Sequence, residues 1–533
     1  MASYFRKLVS YAATDRVAVV DPIDASRPPR NHTYSHLLTR LTVFRERFIT
    51  AAEHNNKELF GARIGLLAPP GLDFVAALLS VWSVGAIVVP ICSSHPPLEM
   101  AHTVNDSDQD FIIYHSSFRS KIQPLMAGRT CIDISQIPAE AVPQTTLDFT
   151  KLGLADENPG IIIYTSGTTG PPKGVVHTGK SYAFLFDSLA EAWQMTSEDR
   201  ILHTLPLHHG HGLLLSLLLP LWTGATVEFV AKFNENLIWG RMMDPTRPPI
   251  TVFMAVPTIW VRMIAHYDRN YKDDPVKATK ATNAACRLRL AISGSAALPA
   301  PIRDAWSRIA KGYLLLERYG MTETGITHSE RLADGGRIQG SVGWPLPGVR
   351  SRLIAADGRD VTDVPDIMGE IQVQSGGQMQ EYWRKPGAAE KDITPDGWWR
   401  TGDLALTRAT HPGAYFIQGR ASTDIIKSGG FKISGLDIET ALLHLPFVEE
   451  VAVVGVPDPV WGEAVAAVCV PVEGKAAELT MANIRECLRS ELAAYKLPQK
   501  LRVLEKLPRN AMGKVQKKAL REQCFPQQRS AKL

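Results

Sequence analysis

The sequence predicts an α/β protein: a large N-terminal domain of parallel-sheet βα layers, then a small α+β domain at the C-terminus. Three observations predict it: short apolar strands alternate with apolar helices, glycine-bearing turns close the strands, and the pattern changes near Gly419-Arg420. Residues 63–67 read as a strand, Pro69-Pro70-Gly71 as a turn, 72–83 as an apolar helix and 86–91 as a second strand, together a βαβ unit. Ile161-Ile162-Ile163-Tyr164 reads as a buried strand. The longest apolar run, 213–222, is broken by Ser216 and Pro220 and falls well short of the roughly 20 residues of a membrane span, so a core helix fits it. Residues 251–256 read as a strand, 258–267 as a helix, and 288–292 as a strand ending in Ser293-Gly294-Ser295-Ala296. Strands with such turns belong to parallel sheets whose ligands sit at the strand ends. Beyond Arg420, apolar strands at 451–456 and 464–470 alternate with helices, enough for a separate domain. The expected division is 1–419 and 420–533.

At 533 residues the chain exceeds what one core serves. With 45% hydrophobic and 21% charged residues it has ordinary globular composition, which excludes a largely disordered chain. The 58 basic and 54 acidic residues nearly cancel, and no long basic run interleaves with aromatics, so no nucleic-acid partner is expected. The segment Lys514-Val515-Gln516-Lys517-Lys518 reads as a solvated helix face. Six cysteines, Cys92, Cys131, Cys286, Cys469, Cys487 and Cys524, contain no C-x-x-C pair, which argues against both a disulfide framework and a thiolate zinc site. The N-terminus lacks an apolar secretory core. The chain finishes Ser530-Ala531-Lys532-Leu533, and Ala531-Lys532-Leu533 is a conservative variant of the peroxisomal address read by an import receptor. A peroxisome is therefore the expected location, with the mitochondrion and the cytoplasm as alternatives.

Chemistry concentrates in Tyr164-Thr165-Ser166-Gly167-Thr168-Thr169-Gly170-Pro171-Pro172-Lys173-Gly174. A Gly/Thr/Ser turn after a buried strand offers backbone N–H groups and hydroxyls to oxyanions without Cβ obstruction. It is not a Walker loop, because two prolines separate Gly170 from Lys173 and a glycine follows. Further segments follow in order: Tyr319-Gly320-Met321-Thr322-Glu323-Thr324, Gly397-Trp398-Trp399-Arg400-Thr401-Gly402-Asp403, Gly419-Arg420 with Asp424-Ile425-Ile426-Lys427-Ser428-Gly429-Gly430, and Pro508-Arg509-Asn510-Ala511-Met512-Gly513-Lys514.

These five segments, in this order, resemble the adenylate-forming enzymes, the superfamily of acyl-CoA synthetases, luciferases and peptide-synthetase adenylation domains. The resemblance implies an acid-thiol ligase using ATP, Mg²⁺ and coenzyme A. It also implies a β-barrel-like subdomain within the large domain and mobility of the small one. It carries roles onto residues. Lys514 would bridge the α-phosphate and the acyl oxygen, Glu323 would hold Mg²⁺ and Thr322 would touch phosphate. Thr165, Ser166, Gly167, Thr168, Thr169, Gly170 and Lys173 would form the phosphate loop. Ser293, Gly294, Ser295, Tyr319, Gly320 and Met321 would line the adenine site, and Asp403 and Arg420 would grip the ribose hydroxyls. Ser428, Gly429 and Gly430 would pass the thiol arm of CoA. The hinge departs from the common pattern, with Thr423 before Asp424 after an Ala421-Ser422 spacer.

Which acid is activated is less legible. Leu205-Pro206-Leu207-His208-His209-Gly210-His211-Gly212 clusters three imidazoles, but no cysteine or carboxylate stands beside them in sequence. Gating or carboxylate contact by His209 and His211 is expected ahead of a zinc site. Several segments, among them Phe253-Met254-Ala255-Val256-Pro257 and Ser293-Gly294-Ser295-Ala296-Ala297-Leu298-Pro299, look specifically like malonyl-CoA synthetases. A dicarboxylate needs a cation at its distal end, because a buried unpaired carboxylate costs several kcal/mol. Arg262 and Arg303, each just past a pocket-lining segment, are the candidates. Alternatives are a medium-chain, branched or aryl acid, a carrier-loading adenylation domain, or a non-catalytic nucleotide-binding protein.

Overall fold

The computed structural model describes residues 1–23, 29–165, 171–332, 337–429, 431–509 and 514–526, and among them the strands gather into four sheets. One seven-stranded sheet runs Glu381–Tyr382, Lys173–Thr178, Pro159–Thr165, Ile87–Pro90, Arg63–Leu67, Phe111–Tyr114, Thr130–Asp133, parallel from Pro159–Thr165 onward. A nine-stranded sheet runs Trp344–Pro345, Gly325–Ser329, Leu316–Met321, Leu290–Ser293, Val252–Ala255, Arg200–His203, Thr226–Val230, Val17–Ile23, Asn31–Thr33, and its six central strands are parallel. The expected βα layers are these two sheets and the helices on them. Helix Leu72–Ser83 has no polar face to offer water, and all but Asp73 of its residues are buried in the core. A second core gathers around Trp239, Trp260 and Trp306 beneath helices Glu235–Met243, Pro257–Asn270 and Ala300–Ile309.

Strands Arg350–Ile354, Gly369–Gln374, Trp399–Arg408 and His411–Arg420 form a four-stranded antiparallel sheet, the subdomain expected to be barrel-like. After Arg420 the chain builds a smaller α+β unit. Phe431–Ser434, Ile425–Ser428, Gly462–Pro471 and Val448–Asp458 pair antiparallel, with Lys500–Val503 parallel to Gly462–Pro471. Its core joins Ile438 and Leu442 of helix Gly435–Leu443 and Ile484 and Leu488 of helix Met481–Leu488 to Val453, Val465 and Ala467 of the sheet.

Two expectations are corrected. The apolar run at 213–222 is helical, but it begins as a π-helix over His211–Leu218 and turns α only at Leu219–Trp222. The lysines after 513 are not one solvated face: Lys517 forms ion pairs of 2.6 Å with Asp424 and 2.7 Å with Glu439. The carboxylates recover what its desolvation costs and hold its ammonium above the usual range. Among the described residues no helix is long and apolar enough to cross a membrane.

One polar cluster is structural. Glu228, fully buried, accepts from Arg241 at 2.5 Å, Arg247 at 2.7 Å and Arg200 at 3.3 Å. Removing one partner of such a cluster leaves buried charge uncompensated, at a cost of about 3–5 kcal/mol. Glu228→Ala is therefore expected to lower the melting temperature markedly. A variant melting with the wild type would show that the three guanidiniums repack without it.

Candidate active site

The strand ends meet in one place. Leu290–Ser293, Leu316–Met321 and Pro159–Thr165 deliver Ser293, Met321 and Thr165 to a cavity of about 1700 Å³. Its walls also include Lys173, His209, His211, Ser295, Arg303, Arg318, Tyr319, Glu323, Asp403, Arg420 and, from the C-terminal unit, Lys514. That volume exceeds the roughly 300–1,000 Å³ of ordinary small-molecule pockets and suits more than one substrate.

On one side Asp403 accepts from Arg420 Nε at 2.8 Å and from the Tyr319 hydroxyl at 2.7 Å, fixing carboxylate, guanidinium and phenol as a unit. Close backbone passage makes this possible: a Cβ on Gly320 would lie 2.2 Å from the Gly325 carbonyl oxygen. Glu323 accepts from the Tyr382 hydroxyl at 2.9 Å, and the same ring carries the Lys173 ammonium 4.6 Å from its centroid. The Thr322 carbonyl is held by His177 Nε2 at 2.7 Å. Thr165 pairs with Lys173 across the hairpin. The segment between them that was expected to cradle phosphate, Ser166, Gly167, Thr168, Thr169 and Gly170, lies outside the described residues.

On the other side Ser295 adopts φ +70°, a left-handed conformation that costs a residue with a side chain roughly 1–2 kcal/mol. The strain aims its hydroxyl at His211 Nδ1, 3.1 Å away. His211 opens the π-helix, a distortion common at functional sites. Burial, with Arg318 as the next cause, holds the His211 pKa well below the usual imidazole range; burial and then His208 do the same for His209. Both rings are thus neutral wall elements with Nε2 atoms that meet no partner among the described residues.

Arg303 and Arg318 are nearly buried, at 4% and 8% exposure, and their guanidiniums keep N–H groups without hydrogen-bond partners among the described residues. Arg303 sits 3.9 Å from Glu317. Burial pushes the Glu317 carboxyl up to about 7 against the pull of Arg303, and burial lowers Arg318 to about 10. Gly294 makes room, since a Cβ there would lie 2.6 Å from the Arg318 guanidinium. Lys514 is likewise pulled below its usual range, first by burial and then by Arg318 and Arg420.

Several predicted residues fall elsewhere. Arg262 does not enter the cavity: it is exposed, pairs with Glu235 at 2.6 Å and lies over Phe233. Ser428 ends a strand of the small unit, and Gly429 donates to the Trp461 carbonyl at 2.9 Å; neither lines the cavity. Gly430, Ala531, Lys532 and Leu533 lie outside the described residues. The structure adds Arg318 and Tyr382. Arg318 adjoined a recognised motif, whereas nothing near Tyr382 in sequence marked it. A further correction concerns the imidazoles: His208 does have a cysteine neighbour, Cys92, brought there by folding, with His95 beside it.

The family model described as AMP-binding enzyme matches residues 8–383, and that of the AMP-binding enzyme C-terminal domain matches 437–514. The chain belongs to the AMP-binding enzyme family. Within that class it is an ATP-dependent acyl-CoA synthetase, an acid-thiol ligase. A CoA ligase of Gibberella moniliformis is 37% identical, covering 98% of this chain and 95% of its own. Malonate-CoA ligase ACSF3, mitochondrial, of Xenopus laevis is 37% identical over 96% and 91%. Malonate-CoA ligase of Arabidopsis thaliana is 40% identical over 87% and 78%. Among solved structures, ATP-bound MatB from Rhodopseudomonas palustris aligns over 98% of both chains at TM-score 0.84 and 28% identity. A malonyl-CoA ligase ternary product complex with methylmalonyl-CoA and AMP aligns over 94% of this chain and 99% of its own, at TM-score 0.64 and 33% identity.

The buried carboxyls carry a pH signature. Burial raises Glu317 to about 7 and Glu330 to about 8, against an unfolded value of 4.5. The folded state holds protons that the unfolded chain sheds, so this contribution is complete below 4.5 and is lost as pH rises through 7 and 8. Glu330→Gln should flatten the alkaline fall of the melting temperature. Superimposable pH profiles of variant and wild type would exclude the assignment.

Proposed function

We propose that this enzyme activates malonate, or a short dicarboxylate like it, by joining one carboxylate to the α-phosphate of ATP and then passing the acyl group to CoA. The observation that carries the reading is the pair of buried guanidiniums, Arg303 and Arg318, with unsatisfied N–H groups. An acid with one carboxylate leaves such donors unpaired, whereas a second carboxylate satisfies them by bidentate bonds. The malonate ligases among its relatives support the same substrate.

In the first half-reaction the attacking carboxylate and the α-phosphate are both anionic, and their approach needs a preorganised cation. Lys514 is proposed for it, with Arg420 and Asp403 gripping the ribose. Tyr319 and residues 293–296 would form the adenine wall. His209 and His211, neutral and desolvated, would separate phosphates from acyl chain without adding charge. Glu323 suits Mg²⁺, because a carboxylate oriented by the Tyr382 phenol supplies the hard oxygen that this ion prefers. When bound, Mg²⁺ would neutralise the departing pyrophosphate. Thr322, Thr165, Lys173 and residues 166–170 are proposed for phosphate contact.

For the second half-reaction Ser428, Gly429 and Gly430 must approach the thiol arm, which requires the small domain, proposed as 420–533, to rotate. A relative more alike in sequence superposes less well than the ATP-bound one, as expected where the two units are differently arranged. The pivot is proposed at the turn before Asp424. For location, the vertebrate relatives bear mitochondrial names, which favours the mitochondrion over the peroxisome.

AMP formation with CoA should be fastest with malonate across a panel of malonate, methylmalonate, acetate, octanoate and an aryl acid. Arg303→Ala and Arg318→Ala should each cost malonate at least about tenfold in kcat/KM, the worth of a buried charge-assisted bond, and cost acetate less. Equal losses for both acids would refute the clamp. Lys514→Ala should abolish ATP–pyrophosphate exchange yet leave thioester formation from preformed acyl-AMP; unchanged exchange would remove Lys514 from the first step.

A further inference from the structure

We propose that Cys92, His95 and His208 form a binding site for a divalent d-block metal ion of the zinc type, separate from the Mg²⁺ position. Cys92 and His95 lie in the loop that follows strand Ile87–Pro90 of the seven-stranded sheet. His208 lies in the loop that follows strand Arg200–His203 of the nine-stranded sheet. The fold brings the two loops together so that one sulfur and two imidazole nitrogens stand within 4.8 Å of one another. A tetrahedral zinc with bonds of about 2.0–2.3 Å places its ligand atoms roughly 3–4 Å apart. Small side-chain adjustments close the remaining gap.

The donor set selects the ion. One thiolate and two imidazoles suit zinc, cobalt or copper and are poor ligands for Mg²⁺, which takes oxygen. Cys92 is 4% exposed and cannot meet water freely, while the more open His95 provides an approach. His208 Nε2 is buried and has no hydrogen-bond partner among the described residues, an orphan that a ligand would satisfy. Glu99 lies 3.5 Å from His95 Nε2, a carboxylate of the kind that orients metal-bound imidazoles. As a separate matter, burial raises the Cys92 thiol, but the His208 and His95 imidazoles outweigh it and hold its pKa at about 5.

Occupancy would tie one sheet's loop to the other's beside the acyl wall, because the His208 ring stands 4.1 Å from that of His209, which lines the cavity. The site would thus brace the His209 position from behind, outside the reacting groups.

The test uses the full chain stripped of metal with a chelator and titrated with Co²⁺ in excess Mg²⁺. A thiolate-to-cobalt charge-transfer band should appear, should be displaced by Zn²⁺, and should be absent from Cys92→Ser. His95→Ala and His208→Ala should weaken the binding by at least about tenfold. No band in the wild type, or a band kept at full strength in Cys92→Ser, overturns the proposal. A second measurement needs no variant: Zn²⁺ should slow alkylation of Cys92, followed by peptide mass mapping, by about tenfold or more. Equal alkylation rates with and without Zn²⁺ overturn it as well.

Discussion

Like charges buried together define this molecule. Lys514, Arg318 and Arg303 face one cavity, and burial together with mutual repulsion lowers the proton affinity of the first, while burial lowers that of the second. Two carboxylates stand among them: Glu317 is raised to about 7 by burial, and Asp403 is engaged by Arg420 and Tyr319. A cavity lined this way favours anions. Under the proposed reaction, the desolvation that these cations carry in the folded state would be offset where negative charge accumulates.

The same constraint explains the junction between the two units. Asp403 and Arg420 are opposed in the antiparallel pair of Trp399–Arg408 and His411–Arg420, so the chain leaves that sheet from a cavity-lining residue. Four residues on, Asp424 accepts from the Arg420 backbone N–H at 2.9 Å and pairs with Lys517 at 2.6 Å, while Lys517 also holds Glu439. The helix after Lys514 is thereby fastened to the turn that begins the small unit. Lys514, three residues before Lys517, is tied in sequence to that turn while lining the cavity.

Much of this was legible in the sequence, and the rest failed for identifiable reasons. Residues 64–67, 87–90 and 252–255 carry no polar side chain because both faces of their strands are covered, a pattern that needs no tertiary knowledge. The two arginine candidates differ by helical phase. In helix Ala300–Ile309, Arg303, Trp306 and Ile309 are three apart and share the buried face. In helix Pro257–Asn270 the buried face is Trp260, Met263 and Ile264, and Arg262 falls between them on the solvent side. Counting the apolar period in each helix would have separated the pair. No such count joins Cys92 to His208 or Tyr382 to Glu323, because those meetings are made by the packing of sheets whose register the sequence does not announce.

One juxtaposition bears on mechanism. Lys514 lines the cavity, whereas Ser428 and Gly429, on the same small unit, do not, and Gly429 is tied to Trp461. Ile426 and Ile433, on either side of Gly429, pack in one core of the small unit with Val453 and Val465, while Val515 and Leu520, just after Lys514, pack in a second core with Ala452, Val468 and Leu507 on the opposite face of the same sheet. One sheet thus sets the two segments apart, and the proposed thiol step, which needs Ser428 and Gly429 at the cavity, requires that sheet to move as a whole.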